Sequence, residues 1–163
     1  MIPIRPAAAA ILAAVFFLAA CGRADGEGGP PKALAGLERH HEVSGSRATR
    51  AFRRLPGVGD AEVRSAWIAG YVGEDQRAMV YAGRARDVAD AQKLLRSLRA
   101  GLLDGKAGYR ELSPLREREH EVHRLSGQGD RHFLFRVADR VIWTSADSTV
   151  AGRVLRDLVD HLD

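Results

Sequence analysis

An uninterrupted apolar run near the N-terminus limits where the folded part of this 163-residue chain can begin. Residues 7–20, AAAAILAAVFFLAA, hold fourteen apolar side chains in a row, and Arg5 is the one charge before them. As a helix they would span roughly 21 Å, short of the ~30 Å hydrocarbon core of a bilayer. A charged start, a short apolar stretch and small residues at its end are typical of a secretory signal peptide. We therefore predict a signal peptide over residues 1–20.

The end of this run, Leu18-Ala19-Ala20-Cys21, resembles the lipobox of bacterial lipoproteins. The resemblance implies cleavage before Cys21, a diacylglyceryl thioether on its sulfur, and a third acyl chain such as palmitate on the freed amine. Because each buried methylene contributes ~0.8 kcal/mol, several chains make a lasting anchor. The resemblance thus implies a small lipoprotein of the cell envelope, lipid-anchored and extracytoplasmic. Gly22 replaces the aspartate that retains many lipoproteins at the inner membrane, so the periplasmic face of an outer membrane is one destination. The alternatives are an ordinary signal peptide followed by a chance cysteine, or a helix of a protein core.

The composition excludes several classes of protein. A single cysteine excludes an intramolecular disulfide and a cysteine-based zinc or iron–sulfur site. Removal of residues 1–20 takes away Arg5, which leaves 24 basic and 21 acidic residues, a net charge of +3. That charge is too small to indicate nucleic acid by itself. Residues 21–36 are rich in Gly with a Pro30-Pro31 pair, which predicts a lipidated cysteine and flexible linker before a domain over 37–163.

Two periodicities predict the architecture of residues 37–163. Apolar residues at helical spacing predict three amphipathic helices, around 46–55, 88–102 and 150–162. A further short helix is expected around 34–41. Alternating residues predict strands over 62–72, 77–85, 117–125, 131–137 and 141–144. The order α-ββ-α-βββ-α favours an α+β fold: one domain with an antiparallel sheet of about five strands and helices packed on one face.

The first predicted helix carries a cluster of arginines, Arg47, Arg50, Arg53 and Arg54. Beside a membrane anchor these side chains could contact anionic lipid headgroups, each contributing about 1 kcal/mol near the surface. A solvated helix face is the alternative interpretation. The sequence leaves both open.

The residues after this helix, Leu55-Pro56-Gly57-Val58-Gly59, resemble the hairpin of helix-hairpin-helix DNA-binding motifs. The resemblance implies that the glycine amides hold a backbone phosphate and that a second helix runs from Asp60. Residues 62–72 alternate like a strand instead. We favour a helix stop before a strand and expect no nucleic-acid partner, with an exported DNA-contacting protein as the weaker alternative.

The segment Glu119–His123 contains residue types that bind metals and transfer protons. Its histidines are three residues apart, not four as in the His-Glu-x-x-His zinc helix. On a strand they point to opposite faces, so we predict no metal and no cofactor. We expect Glu117, Glu119 and Glu121 to share one strand face, but general acid–base catalysis needs a cleft that separates the pKa values of its partners. Interleaved arginines favour a charged outer face, and an envelope hydrolase using 117–123 is the rival hypothesis.

The remaining signals favour binding over catalysis. No Gly-x-Ser-x-Gly elbow or P-loop occurs, and Gly57-Val58-Gly59 lacks the third glycine of a dinucleotide loop. Five aromatic residues in predicted strands favour a core over a binding groove: Trp67, Tyr71, Phe133, Phe135 and Trp143. We predict a non-enzymatic binding or scaffolding module with no catalytic residues, anchored at Cys21, whose partner is another envelope protein.

Overall fold

The computed structural model describes residues 28–106 and 108–163, so the predicted signal peptide, Cys21 and residues 21–27 of the predicted linker lie outside it. Within the described residues the chain forms eight strands and three helices. In chain order these are β1 (Ala33–Leu34), β2 (Leu37–Ser44), α1 (Gly45–Arg53), β3 (Ser65–Val72), β4 (Arg77–Arg84), α2 (Val88–Leu102), β5 (Arg110–Glu117), β6 (His120–Gly127), β7 (Asp130–Val137), β8 (Arg140–Ala146) and α3 (Ala151–Leu162).

All eight strands belong to one antiparallel sheet in the order β1-β2-β3-β4-β8-β7-β6-β5. β1 to β4 form one half, and β5 to β8 form a second meander that starts at the far edge and returns to the centre. The halves join where β4 pairs with β8, in a continuous register from Ala78↔Ala146 to Arg84↔Arg140. The α+β prediction for one domain is confirmed, with eight strands in the described part where about five were expected.

Helices cover both faces of the sheet, so the prediction of one covered face is wrong. On one face α3 packs its apolar stripe, including Leu155 and Leu158, against the sheet. On the other face α1 and α2 pack through residues such as Phe52 and Leu98. The physical reason lies in the central strands: β8 is buried at 141–144 without interruption, and a strand with apolar residues on both faces needs cover on both.

Two edge regions of the sheet differ from the sequence prediction. The short helix expected around 34–41 is instead β1 and the first part of β2, a strand whose exposed polar residues hide the alternation. β5 was not predicted, because Pro114 is an unfavourable strand signal and lies where the β5–β6 register shifts. The predicted strand 117–125 is in fact the end of β5, a two-residue turn and β6, with Arg118 at a positive φ of 51°.

Both cores consist of residues between Leu34 and Leu162. A chain that starts after Cys21 therefore contains all of the packing described for this domain. In the described part of the chain, no helix combines the length and the apolar character needed to cross a bilayer.

Candidate binding groove

The first described residues, Gly28–Lys32, form a strap that is fastened to the face of the sheet covered by α3. Each of four consecutive strap carbonyls accepts one hydrogen bond from a side chain of the domain: Gly28 from Trp67 Nε1 (2.7 Å), Gly29 from His161 Nε2 (2.8 Å), Pro30 from Arg39 Nη1 (2.6 Å) and Pro31 from Tyr71 Oη (3.0 Å). The donors come from β2, β3 and α3, so the strap ties the sheet edge to the last helix.

The strap needs such donors because of its sequence. Pro30 and Pro31 have no backbone N–H and cannot take part fully in a strand ladder. Their carbonyls must then find partners elsewhere, and Pro31 is buried. Just beyond the strap, the N–H of Ala35 donates to Asp157 Oδ2 at 2.7 Å. Residues 28–36 therefore belong to the folded domain, a correction to the linker predicted over 21–36.

One wall of a groove of about 690 Å³ is formed by the strap. The other walls come from β2, from the adjoining ends of β3, β4 and β8, and from His161 of α3, and they include the indole of Trp67. Four permanent cations line the groove: Lys32, Arg39, Arg84 and Arg140. Glu42 is the carboxylate among the described lining residues. We call this surface the cationic groove.

The lining residues are held by specific contacts. Arg39 reaches both the Pro30 carbonyl and Glu42 through Nη1, the latter at 3.2 Å. Arg84 Nε lies 2.7 Å from Asp139 Oδ2. The Arg140 guanidinium packs against Gly28 so closely that a Cβ on residue 28 would overlap it. These contacts order the cations around the strap.

The buried phenol of Tyr71 remains a donor over a wide pH range. Burial raises its pKa well above the usual value, while the positive charge of Arg39 acts in the opposite direction. Tyr71 and Trp67, like the other three aromatic residues assigned to the core, are buried, which confirms the core assignment; Trp67 also lines the groove. Sequence analysis missed their second role in holding the strap. The signal was their polar atoms, since a buried Tyr O–H or Trp N–H usually has a partner.

The arginine cluster lies on and just after α1. Ala48 and Phe52 point into the core, and Arg47, Arg50 and Arg54 are exposed. Arg53 is exposed as well, and its Nη2 also donates to the Val63 carbonyl at 3.2 Å. α1 starts directly after Ser44, a residue of the groove wall. The exposed arginines and the cationic groove therefore occupy the same end of the sheet.

The hairpin Leu55–Gly59 packs against α2. Gly57 has a φ of +77°, and a Cβ there would overlap the Ser97 carbonyl oxygen. The residues from Asp60 to Arg64 form no helix, and β3 follows at once. The second helix implied by the resemblance to helix-hairpin-helix motifs is therefore absent from this segment, and the prediction of a strand is confirmed.

The three carboxylates Glu117, Glu119 and Glu121 do not share one strand face, so that prediction is wrong. Glu117 ends β5, Glu119 lies in the turn and Glu121 belongs to β6. The two histidines point to opposite faces, as predicted. His120 Nε2 lies 2.6 Å from Asp163 Oδ1 beside α3, whereas His123 Nδ1 lies 3.7 Å from Glu111 Oε1 on the α2 side.

A second groove, of about 560 Å³, borders this segment. Glu119, Glu121 and both histidines line it, but the side chain of Glu119 is 93% exposed. The neighbouring Glu111 makes a two-pronged contact with Arg99, at 2.7 Å through each carboxylate oxygen. That hydrogen bonding lowers the pKa of Glu111. Among residues 28–106 and 108–163, no group of three or more His, Cys, Asp or Glu residues is arranged to hold a metal.

Comparison with known proteins names no family. No protein-family model matches the chain, and no curated protein matches its sequence. Among solved structures, the extracellular domain of PknH from Mycobacterium tuberculosis is similar over 77% of this chain and 84% of that chain, with 6% sequence identity and a TM-score of 0.49. A likeness at this level carries no conclusion about activity, ligand or location.

Proposed function

We propose that this chain is a lipid-anchored, extracytoplasmic binding or scaffolding module of the bacterial envelope, with no catalytic role. Its anchor is Cys21, and its binding surface is the cationic groove beside the strap. Another envelope protein is its macromolecular partner. The proposal combines the lipobox resemblance with the groove geometry.

The observation that carries the proposal is the attachment of the strap. Cys21 lies seven residues before Gly28, a distance of at most roughly 25 Å in an extended chain. From Gly28 onward, the four side-chain hydrogen bonds hold the chain against the sheet. A protein anchored at Cys21 would therefore hold Gly28, which lines the groove, within roughly 25 Å of the lipid surface.

The test is metabolic labelling with a fatty-acid analogue in a bacterium that processes lipoproteins. The wild-type chain should be labelled and processed, and Cys21→Ser should be neither. A matched control is the double variant Cys21→Ser with Ser148→Cys. Residue 148 lies in an exposed loop, so the second substitution gives the chain a thiol outside the lipobox. Labelling of Cys21→Ser at the wild-type level would overturn the lipoprotein assignment.

An envelope hydrolase is the second candidate, and one observation favours it. The 560 Å³ groove brings Glu119 and Glu121 together with His120 and His123. Against it, Glu119 is open to water and His120 is engaged by Asp163, whereas general acid–base catalysis relies on residues whose pKa values a cleft sets apart. Release of soluble fragments from purified peptidoglycan by the wild type, lost in Glu121→Gln and His123→Ala, would favour the hydrolase.

A further inference from the structure

We propose that residues 28–34 exchange between two copies of this chain, so that each copy binds the strap and β1 of the other. We call these residues the N-terminal arm. The product is a symmetric dimer in which the partner copy supplies one wall of each groove. The inference rests on the proposed function only for the membrane, which would bring copies together; the arm and the surface it occupies do not depend on the anchor.

The N-terminal arm is held in the way that a protein binds an extended peptide. Four consecutive strap carbonyls accept hydrogen bonds from side chains of β2, β3 and α3. The two prolines of the strap fix φ at about −65°, and docking of a proline-rich segment on aromatic side chains is a recurring mode of peptide recognition. Because the donors contact main-chain oxygens, the same segment of a second copy would satisfy them equally.

The N-terminal arm lies where it can leave without disturbing the rest of the sheet. In the described sheet, β1 is the outermost strand on its side and pairs with β2 alone. The arm also carries apolar side chains that need cover, because Leu34 is 1% exposed and Pro31 is buried. An arm that opens exposes apolar surface on itself and on the domain, which is unfavourable in water. The arm of a second copy covers both surfaces at once.

The hinge between the arm and the domain is a strained two-residue turn. Ala35 and Gly36 connect β1 to β2, with φ values of 54° and 82°. Two central residues at positive φ are the pattern of a type I′ hairpin turn, which favours Asn, Asp or Gly. The Cβ of an alanine makes this conformation unfavourable at residue 35. Extension of the hinge removes that strain, and short strained hinges promote domain swapping.

The balance between the closed chain and the exchanged dimer depends on few terms. The N–H of Ala35 donates to Asp157 Oδ2 at 2.7 Å, a contact that stabilises the closed hinge. The contacts of the arm itself are the same in both forms, because each arm meets an identical domain. What remains is the hinge and the protein concentration, which favours the dimer as it rises. Anchoring of copies to one membrane would raise their effective concentration in the same way.

A disulfide placed across β1 and β2 distinguishes the two forms. Ala33 and Glu38 are exposed and directly opposite in the antiparallel pair. Such Cα atoms lie about 4.5–5.5 Å apart, within the range that a disulfide spans. The experiment uses the chain from Gly22 to Asp163, which contains both cores and lacks Cys21. With Ala33→Cys and Glu38→Cys, a closed arm gives a cross-link within one chain, whereas exchanged arms give a covalent dimer.

The chain is refolded from urea at about 10 µM and at about 1 mM, the effective concentration that a short flexible tether provides, and is then oxidised. We expect light scattering to show a monomer at the lower concentration and a dimer at the higher one. A non-reducing gel should show most of that dimer cross-linked. The control is Ala33→Cys with Ala100→Cys, which has the same number of thiols but places one on the exposed side of α2, across the sheet. It should give at least tenfold less covalent dimer.

Two substitutions at one hinge residue move the equilibrium in opposite directions. Ala35→Gly keeps the N–H and removes the strain of a positive φ, so the dimer should need at least threefold higher concentration. Ala35→Pro cannot adopt a positive φ and has no N–H for Asp157, so the dimer should form at tenfold lower concentration or less. Circular dichroism and the urea midpoint check folding. If Ala35→Pro does not fold, Ala35→Gly alone keeps the test decisive, because glycine is compatible with the closed turn.

Three results would overturn the proposal: a wild type that stays monomeric at both concentrations, a covalent dimer no more abundant than in the control pair, or an Ala35→Gly variant that dimerises as readily as the wild type. The synthetic peptide of residues 28–34 tests for a different occupant. If a chain that stays monomeric binds this peptide, the site belongs to a proline-rich segment of another protein, and the second copy is excluded. Failure of fatty-acid labelling at Cys21 would leave these results unaffected, so the two proposals can fail separately.

Discussion

The hydroxyl of Tyr71 provides a sharp test of whether the strap is part of the folded domain. Tyr71 is fully buried in β3 and donates to the Pro31 carbonyl at 3.0 Å. Tyr71→Phe removes only this oxygen and keeps the ring that packs in the core. If the strap is held as described, the change should destabilise the domain and loosen residues 28–32 together.

The size of the effect follows from burial of both partners. A neutral intramolecular hydrogen bond contributes about 0.5–1.5 kcal/mol net, and a buried acceptor left without a donor costs about 1–3 kcal/mol. We therefore expect Tyr71→Phe to lower the free energy of unfolding by about 1–3 kcal/mol. For a domain of this size, Tm should fall by roughly 3–5 °C per kcal/mol.

The sign of the pH dependence gives a second measurement on the same variant. Burial raises the pKa of Tyr71 in the folded state, while an unfolded tyrosine ionises near pH ~10. Above pH ~10 the unfolded chain releases this proton first, so this contribution to stability is complete below that pH and is lost as the pH rises. Tyr71→Phe should remove that part of the alkaline loss.

Urea unfolding of the chain from Gly22 measures the free energy of unfolding. Hydrogen exchange measures the opening of two N–H groups next to the strap: that of Arg39, which donates to the Lys32 carbonyl, and that of Ala35, which donates to Asp157. Tyr109→Phe is the control, since the Tyr109 hydroxyl has no hydrogen bond in the described structure and the residue is only partly buried. A loss below about 0.3 kcal/mol in Tyr71→Phe, or a loss no larger than in Tyr109→Phe, would refute the argument that the strap is bonded through Tyr71.

Three further predictions concern the core, a buried histidine and the hairpin. Leu155 is 2% exposed in the centre of α3, so Leu155→Ala should cost about 2–5 kcal/mol in urea unfolding; a cost under 1 kcal/mol would mean that α3 does not cover this face. Burial lowers the pKa of His132, so the unfolded chain takes up a proton first as pH falls below ~6.5, and stability should decline from pH 7 to pH 5. His132→Phe should reduce that decline in urea midpoints, and an unchanged decline would assign it to other groups. Gly57→Ala should lower the free energy of unfolding by more than about 2 kcal/mol, because the new Cβ would overlap the Ser97 carbonyl of α2 and because residue 57 has a φ that favours glycine. Gly59→Ala is the milder control, since the space around its Cβ position is open.

Local periodicity carried much of the fold prediction. The stripe of Ala91, Leu94, Leu95, Leu98 and Leu102 predicted α2, and those residues are the buried ones. Asp87 also caps the helix, accepting from the Asp90 N–H at 2.8 Å. Such features depend on residues three or four positions apart, which a sequence displays directly.

The edge strands were hard to predict for a physical reason. β1 pairs with β2 only at Leu37 and Glu38, so the rest of β2 is paired on one side only. β2 is largely exposed, with a burial pattern that shows no clear alternation. Charged and proline residues on such strands hinder edge-to-edge aggregation and also remove the hydrophobic pattern on which prediction depends. The prediction that helices cover one face of the sheet failed for a similar reason. A buried run such as 141–144 does not show from sequence which element packs against each face of its strand.

By itself, the sequence determined the α+β class, the three amphipathic helices and the hairpin strands, because those patterns repeat within a few residues. It also supplied the prediction of an anchor at Cys21, which lies outside the described residues. The tertiary structure alone decided the strap and the groove. Lys32, Arg39, Arg84 and Arg140 are separated by up to 108 positions in the chain and line one groove because β2, β3, β4 and β8 are neighbours in the sheet, beside the strap. From sequence alone, a proline-rich segment without local hydrogen-bond partners is predicted to be a linker. Only the positions of the distant Tyr, Trp, Arg and His donors show that it is part of the domain.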